Sequence, residues 1–498
     1  MYDLVLSMAA AITPIMILTV VAGVLIGTVI GALPGIGSVV TIALMIPFLI
    51  GMDPILAVVL CACIYSADAY GGAITSILIN TPGSPSSAAT TFDGYPLARQ
   101  GRAGAALGMA AVSSAIGGIF AVFVLMVAAP SLAKLAYRFG PPEYFALAVF
   151  GLSMVSTIGG NSPLKNAIAG CFGVLISTVG IDFTTGAERF TFGIPELTEG
   201  IQFAALMIGL FAGSELLIQV LNPERNRRLL ASAAVALPSR EDMRRCLPTI
   251  GFSSIIGVLI GILPAAGSTV ASLVGYNEAR RWSKNRDQFG KGAIEGVAAP
   301  EAANNAAVGG AMVPTLALGI PGSGTTAMIL GVMIMVGLRP GPMLFEQQPD
   351  FLGALFAAML VANVVFLFMG VLLARWFARI SLVDDSYLWP AIGVFCVIGA
   401  YTFSNSVVDL AVMLIASVVG LVMRLRGFSL APVVIGVVLG ELLEESLKQS
   451  YIIFEGNLWL FFQRGICVFF LVLSVGAFLF PLVKRLVARW RRPTPQEA

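Results

Sequence analysis

The sequence contains no histidine, and charged residues make up only 11% of its 498 residues. The lack of histidine excludes imidazole metal sites and imidazole proton relays. An average soluble protein is about 25% charged, so this chain lacks the surface charge of a soluble protein. The formal net charge is +2, and no basic domain or mixture of aromatic and basic residues stands out. Nothing in the sequence therefore indicates binding to nucleic acid.

Cysteine and catalytic motifs are also scarce. The six cysteines lie mostly inside apolar segments, and Cys61 and Cys63 are too closely spaced to form a zinc pair without partners. We expect all six to be buried core thiols. No GxxxxGK[ST] phosphate loop occurs, so this means of using ATP is excluded. No set of nucleophile and base is recognisable, and we expect neither enzymatic activity nor an organic cofactor.

Apolar residues are abundant instead: they make up 58% of the chain, and the mean hydropathy is +0.92. Apolar segments recur at close to the length of about 18 residues that crosses a bilayer. The sequence therefore predicts an all-α polytopic membrane protein with about 11–15 membrane segments. The predicted segments are 8–30, 38–50, 55–80, 105–129, 144–158, 167–181, 200–221, 249–263, 266–280, 302–337, 351–374, 388–402, 409–423, 429–443 and 458–482.

Two motifs occur twice, in the same order. Gly31-Ala-Leu-Pro-Gly-Ile-Gly-Ser38 returns 230 residues later as Gly261-Ile-Leu-Pro-Ala-Ala-Gly-Ser268. Asn80-Thr-Pro-Gly-Ser84 follows a Tyr-Gly-Gly sequence, and Ile320-Pro-Gly-Ser-Gly324 follows a Val-Gly-Gly sequence. Each copy interrupts an apolar run with proline and glycine, which stop a helix. Paired broken helices in two related halves are typical of secondary transporters.

The repeat predicts the division of the chain. We expect a first transmembrane repeat over 1–221, a cytoplasmic linker over 222–248, a second repeat over 249–445, and an extra helix with a basic cytoplasmic tail over 446–498.

Loop charges favour inverted orientations of the two repeats. Lys and Arg accumulate in cytoplasmic loops, and the charge of the loops changes sign at four matched positions. For example, loop 92–102 contains Arg99 and Arg102, whereas its counterpart 339–350 is net acidic. Parallel repeats would keep the sign. The sequence therefore predicts two inverted-topology repeats with broken or re-entrant helices.

The broken segments are the predicted substrate site. Helices that restart at Ser38, Ser84, Ser268 and Ser323 would expose backbone amides and the positive end of the helix dipole, which bind anions such as carboxylates. The alternative is that the breaks are kinks that let helices pack closely. The predicted substrate-binding residues are Gly35, Gly37, Ser38, Asn80, Thr81, Gly83, Ser84, Gly267, Ser268, Thr269, Gly322, Ser323, Gly324 and Thr325.

A few ionisable or amide side chains inside apolar segments are candidates for cation coupling. They are Asp68, Glu301, Asn304 and Asn305. Asp68 and Glu301 could balance Na⁺ or carry a proton, and the freed carbonyls of the same breaks would suit Na⁺. Alternatively, Glu301 could cap the N-terminus of the following helix. Two other classes of protein remain as alternatives. One is an ion channel, and the other is an intramembrane enzyme that would use Asp68 and Glu301 as a carboxylate pair.

The duplicated motifs resemble those of the TctA family, the large membrane subunit of tripartite tricarboxylate transporters. The resemblance extends over nearly the whole chain and is most specific in the run from Gly292 to Ala306. The other matching ranges are Gly31–Phe48, Tyr70–Arg102, Gly261–Arg281 and Lys291–Gln347.

The resemblance implies a multi-pass protein of the bacterial inner membrane. It implies two partners, a small four-helix membrane subunit and a periplasmic solute-binding protein. It also implies symport of citrate or another organic carboxylate with a cation, usually Na⁺, without ATP. The carboxylate carried, the choice between Na⁺ and H⁺ and the oligomeric state stay open.

Overall fold

The computed structural model describes residues 2–33, 36–155, 162–182, 185–221, 237–264, 266–380 and 385–490. These ranges are almost entirely helical and include one hairpin of two short strands. Seven described helices are long and apolar enough to cross a bilayer, and five shorter apolar helices accompany them. The chain is an all-α polytopic membrane protein, as predicted.

The elements of the first half follow in chain order. The helices are α1 (Tyr2–Ala11), α2 (Pro14–Gly31), α3 (Gly37–Leu49), α4 (Pro54–Ile79), α5 (Thr91–Leu97), α6 (Ala103–Ala136), α7 (Pro141–Val155), α8 (Pro163–Ser177), α9 (Phe203–Met207) and α10 (Ser214–Leu221). The strands are β1 (Gly180–Ile181) and β2 (Glu188–Arg189), and π-helical turns join α5 to α6 and α9 to α10.

The secondary-structure elements described in the second half are all helices. Its helices are α11 (Arg240–Ile262), α12 (Gly267–Trp282), α13 (Glu295–Leu318), α14 (Gly324–Met335), α15 (Leu344–Gln347), α16 (Pro349–Ile380), α17 (Asp385–Ser404), α18 (Val407–Leu425), α19 (Ala431–Ile453) and α20 (Gly465–Trp490).

Local capping explains where the helices depart from the predicted segments. The predicted segment 8–30 is divided between α1 and α2, because the Thr13 hydroxyl caps α2 and Pro14 opens it. Part of the predicted linker 222–248 is helical, because Ser239 caps α11 and accepts a hydrogen bond from the backbone N–H of Asp242 at 3.0 Å. Residues 222–236 of the linker lie outside the described residues.

Contacts divide the chain into two compact units, and both contain segments from each half. The first unit comprises Met1–Ala136 and Gln202–Val422, and the second comprises Tyr137–Ile201 and Met423–Ala498.

Within the first unit, the two halves repeat the same packing of glycine on backbone. A β-carbon added to Gly31 of α2 would lie 2.7 Å from the carbonyl oxygen of Asp68 on α4. A β-carbon added to Gly261 of α11 would lie 2.5 Å from the carbonyl oxygen of Ala307 on α13. The sequence repeat is therefore also a structural repeat, with α2 on α4 matched by α11 on α13.

Helices of opposite halves also pack together in the first unit. α6 of the first half packs on α13, and α16, the helix matched to α6, packs on α4. Tyr70 of α4 stacks on Phe366 of α16 with ring centroids 5.5 Å apart. α4 and α13 are consequently the central helices, and 22 and 23 of their residues respectively are buried.

The second unit contains α7, α8, α19 and α20 with the β1–β2 hairpin. Lys448 of α19 lies 2.6 Å from Asp182, and Arg189 of the hairpin lies 2.5 Å from Glu444 of α19. Cys171 of α8 is exposed, whereas the other five cysteines are buried. The prediction of six core thiols is therefore wrong for Cys171, because apolar surroundings in sequence do not tell the packed face of a membrane helix from its outer face.

Candidate functional site

The first pair of chain breaks has matched geometry. α3 begins at Gly37 with φ of +64°, and α12 begins at Gly267 with φ of +66°. A side chain is strained in this left-handed region, so glycine is the residue that fits both breaks. Gly35, a predicted substrate-binding residue, lies outside the described residues, as do Pro34 and Ala265.

The second pair of breaks is also matched. Asn80 caps the C-terminus of α4 and Gly319 caps that of α13, both in the left-handed conformation. The N–H of Asn80 donates to the carbonyl of Thr75, and the N–H of Gly319 donates to the carbonyl of Pro314. These bonds satisfy carbonyls that would be orphaned at a helix end.

The segments after this second pair of breaks differ. Ser323 caps α14 in a capping box with Thr326, so the predicted helix restart is present there. After Ser84 the chain forms a 3₁₀ turn over Pro85–Ser87, and α5 starts only at Thr91. The predicted α-helical restart at Ser84 is therefore wrong, because Pro85 opens a tight turn and the Ser84 hydroxyl bonds to those of Ser86 and Ser87.

Hydrogen bonds connect the broken segments of the two halves. The Ser38 hydroxyl at the start of α3 lies 2.9 Å from the Thr325 hydroxyl on α14. The Tyr65 hydroxyl of α4 lies 3.2 Å from the Ser323 hydroxyl. Ser268 at the start of α12 also lies near the Tyr65 hydroxyl. Four predicted substrate-binding residues are thus gathered around Tyr65 and the start of α3.

Glycines allow this close approach. A β-carbon on Gly83 would lie 2.8 Å from the Cα of Gly72, and one on Gly322 would lie 2.7 Å from the Cα of Ala311. Neither space admits a side chain without movement of backbone. The two positions are equivalent in the repeat.

The remaining predicted substrate residues lie nearer the periphery. Asn80 is exposed at the end of α4, and Thr81 next to it is half-buried. Thr269 and Gly324 are half-buried in the first turns of α12 and α14. Asn80 therefore stands apart from the buried hydroxyls that join the two halves.

The predicted coupling residues Asp68 and Asn304 lie beside this cluster. The hydroxyl and backbone N–H of Ser38 lie close to the Asp68 carboxylate, and Asp68 Oδ1 has no hydrogen-bond partner. The Asn304 amide donates to the Ala69 carbonyl at 3.1 Å, and the Ser87 hydroxyl donates to the same carbonyl at 3.3 Å. Asn304 Oδ1 also has no partner.

Glu301 belongs to a different set of contacts. Its carboxylate accepts hydrogen bonds from Thr90 and from Ser114, the latter at 3.0 Å. The Asn305 amide donates to the Glu301 carbonyl at 3.3 Å. Glu301 lies inside α13, which begins at Glu295, so the alternative that it caps a helix N-terminus is wrong. Asp68 and Glu301 bond to separate partners and do not form the carboxylate pair of the enzyme alternative.

Sequence reasoning missed four polar residues in this region. Tyr65 corresponds to Asn304 when the halves are matched by the offset of the second motif, and that match was the available signal. Thr90 and Ser114 bond to Glu301, and Thr28 lies on the face of α2 that packs on Gly71 of α4. Their roles depend on contacts between helices, which a single sequence does not show.

Two further features bear on ligands. The described residues contain no group of three or more His, Cys, Asp or Glu side chains that could hold a metal ion. A cavity of about 450 Å³ lies at the end of α12, away from the predicted site residues. It is lined by Asn277, Arg280, Arg281, Arg286 and Asp287.

Comparison with known proteins gives consistent matches. The model of the family described as "Tripartite tricarboxylate transporter TctA family" matches residues 17–435. The chain is 39% identical over 482 residues to a protein of Agrobacterium vitis described as an uncharacterized 52.8 kDa protein in the TAR-I ttuC' 3' region, covering 97% of this chain and 96% of that one. It is 35% identical over 227 residues to a second A. vitis protein, in the TAR-II ttuC' 3' region, covering 46% of this chain and 94% of that protein. No solved structure matches.

Proposed function

Since this chain belongs to the tripartite tricarboxylate transporter TctA family, we propose that it is the translocation subunit of a bacterial inner-membrane secondary transporter. It imports citrate or another organic carboxylate by symport with Na⁺. It works with a small four-helix membrane subunit and with a periplasmic solute-binding protein that delivers the substrate.

One observation carries this proposal: the broken segments of the two halves contact each other inside the first unit. Ser38 and Thr325 are 287 residues apart in sequence and lie in hydrogen-bond contact. Unwound backbone in the membrane persists only where it is buried in protein or lines a cavity. The convergence of two such segments is the arrangement by which transporters bind a solute and its coupling ion.

The chemistry of the segments suits the two ligands. The N-termini of α3, α12 and α14 carry partial positive charge and can bind carboxylate oxygens without a buried cation. Carbonyls, hydroxyls and Asp68 supply the oxygen ligands that Na⁺ prefers. Glu301, which accepts hydrogen bonds from Thr90 and Ser114, is a second buried carboxylate that can take part in cation coupling.

Transport in proteoliposomes tests the function. The chain is reconstituted with its small subunit, the binding protein is added outside, and uptake of radiolabelled citrate is measured under an inward Na⁺ gradient. We expect saturable uptake and counterflow, both dependent on the binding protein. Ser38→Ala combined with Thr325→Ala should reduce uptake, whereas Ser131→Ala, an exposed serine on α6, should not.

The same preparation separates the alternatives. Conductance at channel rates without counterflow would establish a channel and contradict the proposal. Binding assays on the cognate periplasmic protein, with citrate, dicarboxylates and aromatic acids as probes, identify the carboxylate. The proposal would also be contradicted if no carboxylate bound to the periplasmic protein and none exchanged in the proteoliposomes.

A further inference from the structure

The contact between α2 and α4 contains two buried polar atoms without partners. Thr28 is fully buried on α2 and Asp68 is 3% exposed on α4. Neither Thr28 Oγ1 nor Asp68 Oδ1 has a hydrogen-bond partner. A buried polar atom that is left unsatisfied costs about 1–3 kcal/mol, so two of them at one helix contact need an explanation.

Both residues belong to one packed contact. A β-carbon added to Gly31 would lie 3.1 Å from Asp68 Oδ1, and one added to Gly71 would lie 3.0 Å from the Cα of Thr28 and 3.2 Å from the Cα of Gly31. Thr28 and Gly31 are three residues apart on α2, so they share a face of that helix. Thr28 and Asp68 therefore flank the same pair of glycines.

Thr28 behaves differently from most other hydroxyls in these helices. A helical Ser or Thr commonly bonds to the carbonyl four residues earlier, and several buried hydroxyls here do so. Examples are Thr41, Ser66, Ser113, Ser254 and Thr315. The Thr28 hydroxyl makes no such bond, so it remains available to a ligand.

The electrostatics of the contact favour a cation. Asp68 supplies a carboxylate, and α2 ends at Gly31, where the helix dipole places partial negative charge. The last carbonyls of a broken helix are the groups that coordinate Na⁺ in secondary transporters.

The second half provides an internal comparison. A β-carbon on Gly310 would lie 3.1 Å from the Cα of Val258 and 3.1 Å from the Cα of Gly261, and one on Gly261 would lie 2.9 Å from the Cα of Ala307. Val258 thus stands in the place of Thr28, and Ala307 in the place of Asp68. The same contact is polar in the first half and apolar in the second.

We infer that the α2–α4 contact is a site for one Na⁺, with Asp68 Oδ1 and Thr28 Oγ1 as its side-chain ligands and no equivalent in the second half. The inference rests on the proposed function for its role in coupling, since a symporter needs a site for the driving ion. The proposed site includes Asp68 but not Glu301, which bonds to Thr90 and Ser114.

Binding of ²²Na⁺ to the purified full-length chain, without substrate, tests the site. Wild type should bind ²²Na⁺ saturably. Thr28→Val introduces the residue of the matched position, keeps the side-chain shape, and should weaken Na⁺ binding by about tenfold or more. Asp68→Asn should weaken it at least as much.

The control is Ser253→Ala on α11, because Ser253 is also a buried hydroxyl without a partner but lies outside the proposed site. It should bind ²²Na⁺ as wild type does. Removal of an unsatisfied hydroxyl should leave the unfolding midpoint of Thr28→Val unchanged or higher, so weaker Na⁺ binding would not report misfolding. Wild-type affinity in both Thr28→Val and Asp68→Asn, or no saturable binding in wild type, would overturn the inference.

The outcome is distinguishable from failure of the proposed function. Saturable ²²Na⁺ binding that depends on Thr28, without any carboxylate exchange in proteoliposomes, would leave the site standing and overturn the carrier function. Carboxylate exchange in a chain that binds no ²²Na⁺ would overturn the Na⁺ site and leave the carrier function standing.

Discussion

Buried carboxylates in the first unit differ in how their oxygens are satisfied. Asp93 is fully buried and accepts hydrogen bonds from the backbone N–H groups of Gly292 and Ala293 and from the Tyr276 hydroxyl, each at 2.8 Å. Asp68 keeps one oxygen without a partner. A buried carboxylate with all its bonds made has a structural role, whereas one with a free oxygen can bind a ligand.

Asp93→Ala should destabilise the protein, because it leaves two backbone donors and the Tyr276 hydroxyl without their acceptor. Each unsatisfied group costs about 1–3 kcal/mol where it is buried. Thermal unfolding in detergent should show a lower midpoint for Asp93→Ala and a smaller decrease for Asp93→Asn. Asp287→Asn, at an exposed aspartate near the same loop, is the control. An unchanged midpoint in Asp93→Ala would show that these bonds contribute nothing to stability.

At the scale of the elements, glycines at the breaks serve two purposes. Gly37 has φ of +64° and no atom within 4 Å of an added β-carbon, so a side chain there would cause backbone strain only. At Gly322, an added β-carbon would lie 2.7 Å from the Cα of Ala311. The first glycine is required by conformation and the second by close packing.

Gly322→Ala should therefore impair transport more than Gly37→Ala. The left-handed strain at Gly37 costs about 1–2 kcal/mol, which the local chain can absorb. The contact at Gly322 is with backbone and can be relieved only by moving the second break away from α13. The measurement is citrate uptake, normalised to the amount of each variant in the membrane. Equal uptake by the two variants would show that the close approach of Gly322 to α13 is not needed.

The sequence predicted most helices and both pairs of breaks, because proline, glycine and apolar length act locally. The exact helix boundaries depend on capping residues, such as Thr13 before α2 and Ser239 before α11. The contact of Tyr65 with Ser323 was not predictable, because it depends on how helices that are 258 residues apart pack. The 3₁₀ turn after Ser84 was missed because a Pro-Ser-Ser sequence can open either a 3₁₀ turn or an α-helix.

At the scale of the whole molecule, basic segments of the first unit meet at one end of α13. Gln100 donates to the Lys291 carbonyl at 2.7 Å, and Arg245 lies 3.0 Å from Glu295 at the start of α13. The other end of α13 has different neighbours: the N–H of Gly341 donates to the Leu316 carbonyl at 2.9 Å. α13 has 24 residues, which corresponds to a length of about 36 Å, enough to cross the hydrocarbon core.

Residues 92–102, predicted as a loop, are helical in α5 and the π-helical turn that follows it. Segments 92–102 and 339–350 contact opposite ends of one long helix, which supports inverted repeats. Arg99→Cys and Gln347→Cys place thiols at exposed positions in the two segments. The background should carry Cys171→Ser, because Cys171 is the exposed native cysteine among the described residues. A membrane-impermeant maleimide should label Gln347→Cys in intact spheroplasts and Arg99→Cys only in inverted vesicles, since basic loops stay in the cytoplasm. Labelling of both positions from the same side would contradict the inverted repeat, and the background alone should remain unlabelled from either side.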